Sequence, residues 1–564
     1  MIYRLQRAFN NRQATILTLL SYGIALNGLA IIASPIVTTV LEHHAEHFYA
    51  IHLRFGIETI FGLTLLYLSS LLRRGKRTAW AVTLVLYAYI VAVSLTHPVW
   101  TFGAAGWHLW LTAASHIVAP AAVLVVLIYC RRRFTVRSDI RSFALTLRFA
   151  LAALGIIFIY GVAGFILMDQ RGFHHEIGFA EAAHRTLDQF GLTTDSDLIP
   201  YTRRARAFMD SLSLLSLSSL GYVFLSLFQP IRARLVSQEP RRQQLQQLLK
   251  SYPASSEDFF KLWPHDKLYF FNDQQTAGLA YGVQSGIALV LGDPNGDARA
   301  FNALLDSFDA YCRLNDWRPA FIHCESKYAD LYKRHGLSLQ KIGEEAVVDI
   351  PHFVKATARN KYFRQISNRF SKQGFTTEML TPPHSEERMQ ELAAISRQWL
   401  NRPGRSERRF MMGNFTPEYM QQCPIMVLRD AAGTTQAFIN QIPSFDPKEA
   451  NFDLLRQSDT APGNSNDFVL LRFIETLHVQ GYARINLGLC PLAGLTEEGT
   501  DDHSAITSAL GFLYARGDRF YSFSGLRRFK AKYEPRWSAR FIAYPGGLRA
   551  FAKVATALNK MLKV

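Results

Sequence analysis

The chain begins with long apolar runs and continues with short alternating ones. Apolar runs long enough to cross a bilayer, roughly 20 residues each, fall near Ala14–Val40, Phe55–Leu72, Thr78–Leu95, Trp107–Tyr129, Phe143–Met168 and Phe208–Phe228. They predict an α-helical membrane domain of about six transmembrane helices over residues 1–230. The first run is too long for a secretory signal and lacks a small-residue cleavage site, which predicts a retained span. If six helices alternate, Arg4, Arg7, Arg12, the stretch Arg73-Arg74-Gly75-Lys76-Arg77 and Arg131-Arg132-Arg133 fall on one side, and an excess of Lys and Arg marks the cytoplasmic face. That orientation sends everything after Phe228 to the cytoplasm. The 169–207 loop, with Arg203, Arg204 and Arg206, runs against the bias, while Trp100, Trp107 and Trp110 suit an outer aromatic belt. Glu58, His116 and Asp210 lie in or near apolar runs and read either as interfacial or helix-packing groups or as a polar pathway or lipid-headgroup contact. His43 and His47, spaced i, i+4, read as solvated loop in the absence of further matching ligands.

After Pro230 the composition turns polar and helix-prone, and a Pro/Ser turn signal closes a connector over 231–262. Alternating runs at Leu268–Asn272, Ala277–Val283 and Ile287–Leu291 then predict three strands. The turn LGDPNGD, an amphipathic helix in FNALLDSFDAYCRLN and a strand at Pro319–Cys324 follow. The same order returns as Met426–Arg429, Gln436–Gln441, Ala450–Leu455, the turn SDTAPGNSND, a helix over Phe468–Gln480 and a strand at Ala483–Leu487. Two copies of one α/β unit are expected, 263–358 and 376–564, and tandem N-acetyltransferase-like (GNAT-type) acyltransferase folds are one candidate for such an order. Between them, 359–375 predicts a linking helix with an apolar stripe and a basic face carrying Arg364, Arg369 and Lys372, either solvated or tracking phosphates.

Charge and cysteine usage narrow the partners. Lys plus Arg outnumber Asp plus Glu by 62 to 45, a net +17 that favours anionic partners, phospholipid or nucleic acid. The five cysteines have neither CxxC pairing nor metal-ligand spacing, so they read as reduced thiols and no metal site is expected.

Five segments stand in an order that resembles the phosphatidylglycerol lysyltransferases and alanyl-phosphatidylglycerol synthases. They are LGDPNGD (291–297), RNKYFRQISNRFSKQGF (359–375), NFDLLRQ (451–457), INLGLCPLAGL (485–495) and GLRRFKAKYEPRW (525–537), within a span of about 240–550. The resemblance implies transfer of an aminoacyl group, lysyl or alanyl, from aminoacyl-tRNA to the glycerol headgroup of phosphatidylglycerol. It further implies a bacterial cytoplasmic membrane location, resistance to cationic peptides and a catalytic site in the second unit. Six helices are few for the flippase module that family members often carry. Exchange of one ester for another needs no cofactor. It needs two polyanions brought together, a proton removed from the attacking hydroxyl and an oxyanion stabilised.

Candidates exist for each requirement. Asp453 and Arg456 are the expected catalytic pair, the carboxylate holding the substrate amino group or acting as base and the guanidinium gripping phosphate or oxyanion. Their alternative is an ordinary surface ion pair. Asn486, Gly488 and Gly494 follow a strand where glycines let backbone approach a ligand, or simply make a tight turn. Arg527, Arg528, Lys530 and Lys532 offer charge for tRNA or lipid phosphate, and Tyr533 and Trp537 offer faces on which an unpaired base can stack. Arg527, Lys530 and Tyr533 are expected on one helix face, and the competing reading is a half-buried helix with aromatic core and solvated basic tips. Cys490 is not expected to act as a nucleophile, and Asp293 reads as a turn residue. An acetyl-CoA-dependent N-acetyltransferase and a non-catalytic membrane- or RNA-binding module are the competing functions, and a homo-oligomer is left open.

Overall fold

A computed structural model describes residues 15–33, 48–96, 117–136, 140–174, 176–191, 200–226, 228, 238–491, 493 and 523–563. The chain divides into two compact units, which part in sequence between Arg232 and Ala233. Gly494, His116, the 43–47 histidines, Trp100, Trp107, Trp110 and the arginines before residue 15 lie outside the described residues.

In the first unit, helices occupy each of the six apolar runs, including Phe48–Arg73, Arg77–Thr96, Ala119–Tyr129 and Ile140–Phe173. Among the described residues, three stretches are long and apolar enough to cross a membrane: Thr15–Ala33, Leu151–Met168 and Arg203–Ser226. Large apolar side chains such as Leu26, Val85, Ile156 and Leu167 stand exposed on these helices, which suits a lipid solvent and not water. Asp210 is exposed near the start of the last of them.

The second unit is built on one 12-stranded sheet. Its strands are β1 Leu268–Phe271, β2 Ala277–Gln284, β3 Ile287–Leu291, β4 Asn295–Gly296, β5 Arg318–Glu325, β6 Leu337–Asp349, β7 Thr376–Leu380, β8 Ile425–Arg429, β9 Thr435–Ile442, β10 Glu449–Gln457, β11 Arg484–Pro491 and β12 Arg536–Pro545. The order across the sheet is β1-β2-β3-β5-β12-β6-β11-β10-β9-β8-β7, with β4 beside β2. Period-2 patterning explains why both faces are covered. Ile425 and Val427 of β8 enter one apolar cluster with the helices Glu386–Leu400 and Leu548–Leu562. Met426 and Leu428 enter another with the helices Lys361–Lys372 and Ser465–Val479.

The two α/β halves are related by an exchange that the chain order hides. In each half an antiparallel run leads through a helix to a parallel partner, β3 to β5 through Phe301–Leu314 and β10 to β11 through Ser465–Val479. Each half then gives its last strand to the other: β6 pairs with β11, and β12 pairs with β5. The donated strands pair with each other at the centre, from Arg536↔Val347 to Pro545↔Leu337. Separation of the halves would expose long unpaired edges on both sides of the break. Residues 238–375 and 376–564 expressed separately are therefore expected to be insoluble or unstructured by far-UV circular dichroism, and co-expression is expected to restore soluble protein.

Candidate functional site

Asp453 owes its position to a bulge. β10 pairs with β9 at Phe452↔Gln441 and next at Leu455↔Ile439, so Asp453 and Leu454 together oppose Asn440. The Asn440 side-chain oxygen accepts the Leu454 N–H at 2.7 Å and fixes the kink. Asp453 Oδ2 accepts from the Gly413 N–H and the Tyr419 hydroxyl, both at 2.9 Å. Burial pushes the carboxyl up to about 7, against the lowering by these two hydrogen bonds and by nearby Arg456. Gly413 is required by close approach, because a Cβ there would lie 2.4 Å from the Tyr419 ring and 2.5 Å from Asp453 Oδ2. Gly413→Ala is expected to lower activity at least ~10-fold by displacing this carboxylate from reacting geometry, and the clash with the buried Tyr419 ring is expected to lower stability by about 1–3 kcal/mol, read as a lower urea midpoint.

Arg456 does not face Asp453's ligands. Its guanidinium makes a fork on Glu407, with both bonds at 2.8 Å, touches the Ser396 hydroxyl and lies over the Trp399 ring at 4.6 Å. Only 3% of the side chain is exposed. The expected free guanidinium for phosphate is corrected accordingly. Arg456 is instead the bolt that holds the 401–416 loop, whose Gly413 reaches Asp453, onto the sheet.

A second polar cluster sits where the exchanged strands meet. Glu257, from the connector, places Oε2 3.2 Å from His323 Nδ1, and His323 Nε2 lies 3.7 Å from Glu345 Oε1. The other Glu345 oxygen is held by Arg540. Asn486 is buried, and its side-chain oxygen accepts the Gly488 N–H at 2.7 Å. Gly488 takes a left-handed φ of +80°, in a β11 bulge between Asn486 and Leu489. Lys530 reaches in from the helix Phe523–Ala531 and donates to the Gly488 and Leu489 carbonyls at 2.9 and 3.1 Å. A cavity opens beside the cluster, lined by Glu257, His323, Arg540, Lys261, Asp293 and Met411 among others. The three ligand-type residues lie within 4.8 Å of one another, but each carboxylate meets a different nitrogen of one ring, and Arg540 and Lys530 already supply positive charge. The donor set does not fit a metal.

The basic C-terminal stretch divides sharply. Arg528 and Arg536 are exposed. Arg527 pairs with Glu344 at 3.1 Å and lies over Trp537. Lys532 is tied to Asp467 and to the Tyr362 hydroxyl. Tyr533 lies beyond the helix end and is fully buried. Its ring packs on Phe353 and Phe363 and its hydroxyl donates to Asp467 at 3.1 Å, so the base-stacking face expected of it is turned into the core. Lys530 is likewise buried and not a surface charge. In the linking helix, capped by Asn360, Phe363, Ile366 and Phe370 are buried while Arg364, Arg369 and Lys372 face out. Arg369 bonds the Gly463 carbonyl and Asn464 across a turn. Asp293, buried, accepts from Tyr332 at 2.7 Å and from the Glu325 N–H at 3.0 Å, a turn clamp that also borders the cavity. Burial raises the Cys490 thiol, which leaves it a poor nucleophile.

Residues that the sequence reading passed over carry much of this geometry: Glu257, His323, Glu345, Arg540, Gly413, Tyr419 and Glu407. No spacing links them, since apart from Glu407 and Gly413 of the 401–416 loop each comes from a separate segment. The one local signal is His323 with Glu325, polar residues that end an otherwise apolar run in β5.

Residues 246–544 match the family described as phosphatidylglycerol lysyltransferase, C-terminal. The phosphatidylglycerol lysyltransferase of Bacillus subtilis (strain 168) is 33% identical over 279 residues, covering 50% of this chain and 32% of its own length. That of Staphylococcus aureus (strain COL) is 31% identical over 304 residues, covering 54% and 35%. The matched region thus spans about one third of the length of these curated relatives. Among solved structures, L-PGS from Bacillus licheniformis aligns with a TM-score of 0.51 at 28% identity, over 57% of this chain and 96% of that one. The C-terminal domain of a putative lysylphosphatidylglycerol synthetase from Agrobacterium fabrum aligns with a TM-score of 0.51 at 30% identity, over 58% and 98%.

Proposed function

The chain belongs to the phosphatidylglycerol lysyltransferase family by its C-terminal region, and on that footing we propose that it transfers an aminoacyl group, lysyl or alanyl, from aminoacyl-tRNA to the glycerol headgroup of phosphatidylglycerol. The observation that carries the reading is Asp453, raised on a bulge, with one carboxylate oxygen fixed by Gly413 and Tyr419 and the other left for a ligand. In its ionised form this carboxylate grips the α-ammonium of the aminoacyl ester and sets the carbonyl for attack. The cavity at the strand exchange, lined by Glu257, His323, Lys261 and Arg540, receives the reacting ester. Arg528, Arg536, Arg364 and Lys372 supply exposed charge for tRNA phosphates. The apolar helices of the first unit hold the catalytic unit at the cytoplasmic face of the bacterial membrane as a multi-pass anchor, beside its lipid substrate.

The test is label extracted into lipid after the purified full chain meets phosphatidylglycerol vesicles and tRNA charged with one amino acid at a time. Label in lipid from one donor is expected. Its absence with every donor, in protein that still retains tRNA on the vesicles, overturns the reading in favour of a binding module.

A further inference from the structure

We propose that Glu257, His323 and Glu345 form an acid–base relay that opens on the cavity at Glu257 and carries the proton of the transfer reaction. The proposal rests on the transferase reading above. Cys324 and Ile322 of β5 pair with Phe541 and Ile542 of β12, so His323 is the extra residue of a bulge and takes a left-handed φ of +67°. A register shift in the β12–β6 ladder, between Arg540 and Phe541, lies beside it, and the Asn486/Leu489 bulge of β11 lies opposite Glu345. Packing alone does not call for a histidine in a conformation that costs about 1–3 kcal/mol, and such strain persists where surrounding structure imposes it.

The side chains form a line. The imidazole presents Nδ1 to Glu257 and Nε2 to Glu345. Both His323 Nε2 and Glu345 Oε1 are buried without a hydrogen-bond partner. Nδ1 lies within reach of Glu257 for proton exchange, whereas Glu345, 3.7 Å from Nε2, acts on the ring through its charge. The line is open at one end only: the Glu257 side chain is 21% exposed and borders the cavity, whereas that of Glu345 is 1% exposed. Glu345, Arg540, Lys530 and Glu449 act on Glu257, and Glu345, Arg540, Asp293 and Glu325 act on His323. Burial is the largest influence on both, raising the Glu257 carboxyl and lowering the His323 imidazole, which favours the resting proton on Glu257.

When the lipid hydroxyl enters, Glu257 passes its proton to Nδ1, and the imidazolium lies between two carboxylates. The Glu257 carboxylate takes the hydroxyl proton as the glycerol oxygen bonds to the acyl carbon. As the bond from the acyl carbon to the ribose oxygen breaks, that proton moves to the ribose oxygen and the Nδ1 proton returns. One C–O bond forms, one breaks, and no proton is consumed. Glu257 touches the reacting atoms, and His323 and Glu345 position and charge it.

Single-turnover transfer by the full chain on phosphatidylglycerol vesicles tests this. Glu257→Gln, an isostere of the protonated acid, is expected to lower the rate by about 10²- to 10⁴-fold with tRNA retention on the vesicles unchanged. His323→Gly suits the left-handed backbone and is expected to lose the rate and regain it with added imidazole. Across a series of substituted imidazoles the regained rate should track their basicity, which mere filling of space would not produce. A Glu257→Gln rate within about threefold of wild type, far below the range for a general acid–base group, overturns the relay, as does rescue indifferent to basicity. If His323→Gly does not fold, the Glu257→Gln rate decides alone. Wild-type protein that transfers from no charged tRNA sinks the proposed function and the relay together, whereas wild-type transfer with an unaffected Glu257→Gln sinks the relay only.

Discussion

Asp453→Asn is expected to lower aminoacyl transfer about 100-fold, the loss of a charge-assisted hydrogen bond of ~2–3 kcal/mol, as read by lipid-extractable label. Asparagine keeps the size and an oxygen for the Gly413 N–H and Tyr419 hydroxyl, so the bulge and its loop persist and only the charge is lost. The pH dependence follows from the raised carboxyl. Transfer by the wild type should climb as pH rises through about 7, where Asp453 ionises, and this limb should vanish in the asparagine variant. Stability has the opposite sign. A carboxyl raised from its ordinary 3.8 to about 7 binds more protons in the native than in the unfolded state across that window. Its contribution to stability therefore falls as pH rises from about 4 to about 7 and stays lost above. Urea midpoints at pH 5 and pH 8 should differ less for Asp453→Asn than for wild type. Near-normal transfer by this variant removes Asp453 from the site.

Arg456→Ala is expected to act on folding before it acts on chemistry. The guanidinium is buried, forked on Glu407 and stacked on Trp399, and removal of one partner from a buried ion pair costs about 3–5 kcal/mol. The urea midpoint should fall accordingly, and activity should fall with it because Glu407 also accepts the Phe415 N–H at 3.3 Å in the loop that reaches Asp453. Arg456→Lys should recover little, since an ammonium cannot make the two-pronged contact. An Arg456→Ala protein with wild-type stability and no transfer would return the guanidinium to the substrate.

NFDLLRQ drew attention to both residues, yet only the fold separates their roles. In a regular strand, side chains three apart point to opposite faces. The bulge at Asp453 and Leu454 changes that count, and it is fixed by Asn440 on a neighbouring strand. The C-terminal basic stretch shows the same limit. Alternating Arg, Lys and aromatic residues read as a nucleic-acid surface, but Tyr533 and Lys530 are consumed by Asp467 and by the β11 carbonyls. Those partners are more than forty residues away in sequence.

Local pattern by itself determined the apolar helices before residue 230, the run of three strands, helix and strand that opens at β1 and again at β8, and the outward basic face of the 361–372 helix. These follow from hydropathy period and chain length, which act over a few neighbouring residues. The exchange of β6 and β12, the bulges that aim Asp453 and His323, and the meeting of Glu257 with Glu345 were decided by tertiary structure. Each depends on which distant backbone satisfies a strand edge and on which buried charge finds a partner, and neither leaves a periodic trace in the chain.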